Sequence, residues 1–127
     1  MAKSVSDDVL DAALAEIATS TRMTACALEP TTYTEAITTN MLADVDLTIG
    51  LGNGDFTVSD EGTGRKVTIT QQSAVDIDTN GTADHIALVD VTNTSLQYVT
   101  TCSDQALSDT GTVTFPAWTI AIAGPSA

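Results

Sequence analysis

The sequence predicts a mainly β protein, an antiparallel β-sandwich preceded by one N-terminal α-helix. Apolar residues recur at helical spacing near the start of the chain, and after residue 22 they alternate instead with polar residues. Turn-forming residues divide the alternating part into short runs about 8–12 residues apart, a spacing typical of sandwiches, among which the jelly roll is one arrangement. The length of 127 residues predicts a single domain over 1–127.

The helix is predicted over about residues 7–18. Ser4 and Ser6 are residue types that cap helix N-termini, and the aspartates that follow suit the positive end of the helix dipole. One apolar stripe at i, i+3, i+4 and i+7 spacing is formed by Leu10, Ala13, Leu14 and Ile17. A stripe this narrow predicts a helix that lies flat on a sheet or on a partner.

The β-sandwich is predicted over about residues 22–123. Its strands are predicted at 22–28, 44–51, 56–59, 65–71, 75–78, 82–91, 96–101, 112–115 and 117–123. The segment 33–43 is compatible with either an extended run or a helical turn. Asn80-Gly81 predicts a tight hairpin between the two strands that flank it, because both central residues of such a turn need positive φ. Pro116 has no backbone N–H, so it marks a bulge, a bend or an edge.

The charge balance excludes several classes of partner. The chain carries 17 Asp and Glu against 4 Lys and Arg, a formal net charge of −13. Binding to nucleic acid or to an anionic membrane surface needs more basic side chains than this, and no apolar run approaches the ~20 residues that span a bilayer. Acid-rich helical sequence follows Met1 without an apolar region, so we expect no secretory signal and synthesis in the cytoplasm.

Groups with catalytic potential are sparse. His85 is the one histidine, and because neighbours in a strand point to opposite faces we expect Asp84 not to orient it. His85 is instead predicted to face solvent or a polar partner. Asp44 and Asp46 alternate with apolar residues and are predicted to share a solvated face. No serine lies in a Gly-x-Ser-x-Gly elbow, and the sequence predicts no catalytic residue and no cofactor.

The two cysteines, Cys26 and Cys102, do not have metal-ligand spacing. A cytoplasmic chain keeps its thiols reduced, so two buried free thiols are predicted. The alternative, a disulfide bond, requires the two strands that carry them to lie side by side.

One segment matches the first half of a calcium-binding loop. The pattern Asp-x-Asp-x-Asn-Gly and an acid at the ninth position are formed by Asp76, Asp78, Asn80 and Asp84. The twelfth position, where the pattern requires a bidentate Glu, is Ala87, and the sequence before the loop alternates like a strand. We therefore predict a hairpin with an acidic rim, with an ion site as the alternative interpretation.

Seven stretches spread over nearly the whole chain form a recognisable set. They are SVSDDVLDAAL (4–14), PTTYTEA (30–36), GDFT (54–57), GRKVT (64–68), GTADHIALVD (81–90), YVTTC (98–102) and PAWTI (116–120). The set resembles small structural proteins of tailed bacteriophages that are found among head genes and act as capsid decoration, or cement, proteins. The resemblance implies a virion protein on the capsid exterior, made in the host cytoplasm. Its implied partners are the major capsid protein and further copies of itself, in a trimer or another ring at a lattice axis.

A capsid-facing surface is expected on the helix and on the scarce cations, which could pair with acidic groups of a capsid protein. The residues expected in it are Leu10, Leu14, Ile17, Arg22, Arg65 and Lys66. The alternative is that the three cations pair with the chain's own aspartates. Threonine supplies 23 of the 127 residues and loses little side-chain entropy when immobilised, which suits the close packing of many copies.

Three other functions compete with capsid decoration. A tail or head–tail joining component would build a continuous ring from long loops and strands, whereas the predicted strands are short. A carbohydrate-binding β-sandwich usually exposes an aromatic platform, and aromatic residues make up 4% of this chain. A hydrolase needs a nucleophile beside a base, and the sequence offers no such pair.

Overall fold

The computed structural model describes residues 6–52 and 54–123. In these ranges one α-helix, α1 (Asp7–Ile17), precedes nine strands. The strands are β1 (Arg22–Cys26), β2 (Met41–Asp46), β3 (Phe56–Glu61), β4 (Gly64–Ile69), β5 (Gln72–Asp76), β6 (Gly81–Asp90), β7 (Ser95–Leu107), β8 (Thr112–Phe115) and β9 (Trp118–Ile122). All pairings between these strands are antiparallel, so the predicted class, mainly β with an N-terminal helix, is confirmed.

Helix α1 begins where the sequence provides a cap. Ser6 has an extended backbone, and its Oγ accepts a hydrogen bond from the Val9 N–H at 3.3 Å. The helix ends at Ile17, one residue before the predicted end. Leu10 and Leu14 are buried, and the helix packs against β4. Ser4, the other predicted cap, lies outside the described residues.

The strands form three antiparallel sheets. A four-stranded sheet has the order β2-β1-β6-β7, a three-stranded sheet the order β3-β4-β9, and β5 pairs with β8. An isolated bridge between Ala43 of β2 and Ile77 connects the four-stranded sheet to the segment that follows β5. This arrangement is consistent with a β-sandwich, but it differs from a jelly roll, which distributes eight strands over two sheets.

The main core is shared by the four-stranded and three-stranded sheets. Met23 and Leu88 enter it from the first sheet, and Phe56 and Ile69 enter it from the second. Leu14 of α1 belongs to the same cluster. Burial of side chains of this size contributes about 1.5–3 kcal/mol each, which holds the layers together.

The other face of the four-stranded sheet carries a second, smaller apolar cluster. Ala87 and Val89 of β6 are wholly buried there with Ala36, which lies on a π-helical turn, Glu35–Thr39. The Cys26 thiol donates a hydrogen bond to the Ala36 carbonyl at 3.6 Å. Strand β1 and the second half of β6, Ala87–Asp90, are therefore buried on both faces, whereas antiparallel sheets commonly leave one face in water.

Segment 33–43, for which the sequence allowed either an extended run or a helical turn, contains the π-helical turn at Glu35–Thr39. Its last three residues are the start of β2. The Glu35 Oε1 accepts a hydrogen bond from the Thr31 N–H at 2.8 Å, and the Glu35 N–H donates to the Thr32 Oγ1 at 3.1 Å. The bond from the Thr31 N–H is the main reason that the pKa of Glu35 lies below its ordinary value. Local polar bonding decides the conformation here, which apolar periodicity does not reveal.

The predicted Asn80-Gly81 hairpin is wrong, because β5 pairs with β8 while β6 pairs with β1 and β7. Asn80 accepts a hydrogen bond from the Asp109 N–H at 2.7 Å, and neither Asn80 nor Gly81 has a positive φ. Gly81 allows a close approach instead, since a Cβ there would lie 3.0 Å from Leu42 Cδ2. The two ladders on either side of β6 prevail over the local turn signal.

Two strand limits differ from the prediction for physical reasons. The strand predicted at 44–51 is β2, which starts and ends earlier. It ends at Asp46 because its partner β1 begins at Arg22, opposite Asp46, and the last bond of this pairing runs from the Leu47 N–H to the Thr21 carbonyl at 2.8 Å. The strand predicted at 96–101 is the first part of the longer β7. The second part of β7 is rich in polar residues, so it lacks the apolar alternation by which a strand is recognised.

Leu14→Ala should lower the free energy of unfolding by about 2–5 kcal/mol, because it removes a wholly buried side chain and leaves a cavity. Val9→Ala is the matched control on the same helix. Val9 is 60% exposed, so its truncation should change the free energy of unfolding by less than about 0.5 kcal/mol. Urea denaturation followed by circular dichroism measures both values, and similar small effects of the two substitutions would contradict the packing of α1 on the sheets.

Candidate functional site

The helix stripe expected to face a capsid is turned toward the chain's own sheets. Leu14 is 0% exposed, Leu10 is 7% exposed, and Ile17 packs against the main core. Leu10 and Leu14 therefore offer no surface to a partner, which corrects the expectation drawn from their spacing. The large apolar side chain that α1 does expose is Val9.

Arg65 joins helix α1 to the three-stranded sheet. Its Nε donates a hydrogen bond to Asp11 Oδ1 at 2.9 Å, and its Nη1 donates to Asp60 Oδ1 at 2.6 Å. Asp7 at the start of the helix lies 3.9 Å from the same Nη1. The hydrogen bonds to Asp11 and Asp60 raise the pKa of Arg65 further above its ordinary value. The guanidinium thus holds the helix against β3 and β4 and does not project outward.

Arg22 and Lys66 are also paired within the chain. The Arg22 Nε donates a hydrogen bond to Asp46 at 3.1 Å, and the Lys66 Nζ lies 3.2 Å from Glu61. The alternative of intrachain pairing is thus observed for all three cations of the expected interface, Arg65 included. Lys3 lies outside the described residues.

The residues that match a calcium loop face different neighbours. Asn80 is bonded to the Asp109 N–H, and Asp78 lies near Asp44, whose pKa is raised first by burial and then by the neighbouring Asp78. Asp84 is hydrogen-bonded elsewhere, to a backbone N–H and to an imidazole ring. In the described ranges, no three His, Cys, Asp or Glu side chains are grouped in a way that could hold a metal ion.

Asp84 and His85 contact each other, contrary to the prediction. His85 Nδ1 lies 2.7 Å from Asp84 Oδ1. The pairing of β6 with β7 shifts register between Ala83 and His85, so the alternation that separates neighbouring side chains fails at Asp84. The hydrogen bond from His85 keeps the pKa of Asp84 below its ordinary value, and the Leu28 N–H adds to this effect.

Asp84 holds a loop in an uncommon conformation. Leu28, just after β1, has a φ of 75°, in the left-handed region that leucine rarely adopts. Its N–H donates a hydrogen bond to Asp84 Oδ1 at 2.8 Å. This bond ties the loop after β1 to β6, so the Asp84–His85 pair has a structural task that accounts for its geometry.

The prediction of free thiols is confirmed, although only Cys26 is fully buried and Cys102 is partly exposed. Strand β6 lies between β1 and β7, and two strand spacings, about 10 Å, exceed the reach of a disulfide bond. Burial raises the pKa of both thiols. A nucleophilic cysteine is activated by a lowered pKa, so the raised pKa of these thiols is the opposite shift.

A groove opens between β7 and β8. It has a volume of about 540 Å³, and a second recess of about 210 Å³ adjoins it on the side of Trp118. We call the two recesses together the β7–β8 groove. Its described lining is uncharged and consists of Ala25, Ala83, Ile86, Thr100, Thr101, Cys102, Ser103, Gln105, Leu107, Thr112, Val113, Thr114, Phe115, Pro116 and Trp118.

Both walls of this groove are edge strands. β7 pairs with β6 on one side and β8 pairs with β5 on one side, and no further strand among the described residues covers either of them. Such edges present unpaired N–H and C=O groups, which proteins usually protect with charged residues, proline or a short strand. Residues 95–103 of β7 carry no charge at all. A long uncharged edge beside a partly apolar groove is typical of a docking site.

Acidic residues border one end of the groove. Asp104 interrupts its β7 wall, Asp109 lies in the turn between β7 and β8, and Asp76 of β5 pairs with Thr112 of β8. All three aspartates are exposed, and within 6–52 and 54–123 none of them forms an ion pair. They therefore give this end of the groove a negative potential.

The sequence interpretation missed the groove, although two signals for it were present. Pro116 was predicted to mark a bend or an edge, and it lines the groove at the end of β8. The uncharged run 95–103 is conspicuous in a chain whose formal charge is −13. Neither signal reveals that β7 and β8 face each other, because that depends on which strands β6 and β5 select as partners.

Comparisons with known proteins add no relative to this description, since no family model, no curated protein and no solved structure matches the chain. Among the described helices, none is both long and apolar enough to cross a membrane.

Asp84→Asn should destabilise the fold near neutral pH. Because the folded-state pKa of Asp84 is lowered, the carboxylate stabilises the folded chain above its unfolded-state pKa, and this contribution is lost as the pH falls through the folded-state value. The difference in free energy of unfolding between wild type and variant should therefore shrink from about pH 7 to about pH 3.

Asp104→Asn is the matched control, because Asp104 is an exposed aspartate of the neighbouring strand without such hydrogen bonds among the described residues. Chemical denaturation at both pH values measures the two variants. A loss of stability in Asp84→Asn that is the same at both pH values would contradict the assigned role of the carboxylate.

Proposed function

We propose that the chain is a structural protein of a phage particle, a decoration protein that binds the outer surface of the head and stabilises it. The observation that carries this proposal is the β7–β8 groove, an uncharged docking surface on an acidic molecule. The resemblance of the seven sequence stretches to phage decoration proteins supplies the partner, the major capsid protein.

Rigid support of the groove favours this function, because a preformed surface loses little conformational entropy on binding. The strand next to β7 is β6, whose Ala87 and Leu88 are wholly buried on opposite faces of the sheet. At the other end of the groove the Trp118 Nε1 donates a hydrogen bond to Met23 Sδ at 3.4 Å, and its ring lies 6.0 Å from that of Tyr98. Phe115 of β8 is buried in the main core, so both walls are anchored there.

Such a protein would stabilise a shell through many copies, each of which makes a modest contact with the capsid. Each copy would contribute one interface of ordinary size, and many copies arranged on a lattice would sum those contributions. At a lattice axis several copies would sit side by side as a trimer or another ring. Threonine-rich strands suit that packing, since threonine loses little side-chain entropy when it is immobilised.

The chain acts by adhesion in this proposal, and not by catalysis. Both thiols have a pKa raised by burial, which disfavours the nucleophilic thiolate. The Asp84–His85 pair is bonded to the Leu28 loop. A net charge of −13 also opposes adsorption to nucleic acid, which suits the exterior of a particle that contains DNA.

Purified phage particles that carry the chain should contain it in hundreds of copies, because a decoration protein occupies every equivalent position of the shell. Quantitative mass spectrometry against the major capsid protein measures this ratio. Six copies, or a small multiple of six, would instead assign the chain to the tail or the head–tail joint. Its absence from the particles would overturn the proposal.

A further inference from the structure

We propose that the β7–β8 groove takes an extended segment of the major capsid protein, which adds to the edge of β7 as a further strand. Small apolar or hydroxyl side chains of that segment enter the groove, and a Lys or Arg lies beside Asp104 and Asp109. This inference rests on the proposed function and specifies the chemistry of its partner.

The length and position of β7 leave its backbone able to pair with a further strand. The strand spans Ser95–Leu107, and β6 is its one strand neighbour among the described residues. Its outer N–H and C=O groups can therefore bond an added strand, as in known cases of strand addition, where main-chain hydrogen bonds supply affinity and pockets for alternate side chains supply specificity. The groove beside β7 provides such pockets.

The lining of the groove selects the side chains of the added strand. Ala25, Ala83 and Ile86 form an apolar part of the lining, while Ser103 and Thr114 supply hydroxyl groups. A charged side chain placed there would lose its hydration without gaining a partner, which is costly. Small apolar residues and threonine, alternating with residues that face solvent, fit this surface.

Charge favours a partner with cations over a second copy of the chain. Asp76, Asp104 and Asp109 border one end of the groove, and a basic residue next to the added strand would lie close to them. A second copy carries the same formal charge of −13, and its Arg22, Arg65 and Lys66 would already be paired internally. Like charge therefore opposes self-association through this end of the groove.

The first test uses binding to capsids that were assembled without the chain, measured by co-sedimentation. Ser103→Trp places a bulky ring in the groove and should weaken binding by about tenfold or more. Ser59→Trp is the matched control, because it makes the same substitution at an exposed residue of β3 outside the groove lining, and it should leave binding within about twofold. Circular dichroism and thermal unfolding of each variant establish that it is folded.

The second test reports on the groove without any substitution. Cys102 lines both recesses and is partly exposed, whereas Cys26 is wholly buried and serves as the internal reference. Alkylation by N-ethylmaleimide, followed by mass spectrometry, should modify Cys102 of the isolated protein at least about fivefold faster than Cys102 of the capsid-bound protein.

The outcomes separate the inference from the proposed function. Wild-type protein that fails to bind capsids would overturn the proposed function, and the inference with it. Normal binding of Ser103→Trp, with Cys102 equally reactive in the free and bound protein, would overturn the inference and leave the function standing. Protection of Cys102 in the isolated protein as its concentration rises, together with sedimentation as a dimer, would assign the groove to a second copy and overturn the proposed occupant.

Discussion

The burial of β1 and β6 on both faces is the constraint on which the rest of the structure depends. One face of their sheet packs on the three-stranded sheet, and the other is covered by the π-helical turn at Ala36. Two small residues, Ala36 and Ala87, meet at this second face, and their size allows the turn to approach the sheet closely. Asp84, which β6 carries outside this buried stretch, is hydrogen-bonded to the Leu28 N–H and to His85, and β7 forms one edge of the four-stranded sheet.

The chain has few cations, and its surface is therefore strongly acidic. Arg65 is held by carboxylates from α1 and from β3, so one guanidinium fixes the position of the helix. Arg22 and Lys66 neutralise carboxylates on neighbouring strands in the same way. Among the described residues most aspartates have no cation partner, so the surface around them repels other acidic surfaces. The uncharged lining of the β7–β8 groove contrasts with this acidic surface, and the partner proposed for it would bring a positive charge of its own.

Elements with strong local signals were predictable from the sequence. Helix α1 has a serine cap and an apolar stripe, and Leu10 and Leu14 of that stripe are buried, as its spacing indicated. The strands at 56–61, 64–69 and 112–115 follow from alternation between turns. The interface expectation failed at Leu10 and Leu14 because an apolar stripe shows only that a face is buried, and not by which surface. Asp84 and His85 escaped prediction because a register shift between two strands is a property of the pair, which neither strand encodes alone.

The sequence by itself determined the class of this fold, its N-terminal helix and its acidic surface, since each of these follows from composition or from spacing within one segment. The tertiary structure alone decided that β6 pairs with β1 and β7 and not with β5, that the cations are used internally, and that a groove opens beside the edge of β7. These features arise from competition between distant segments for the same ladder, the same carboxylate or the same buried face. Which of these pairings forms depends on the sum of contacts over the whole chain, and a local sequence pattern does not carry that information.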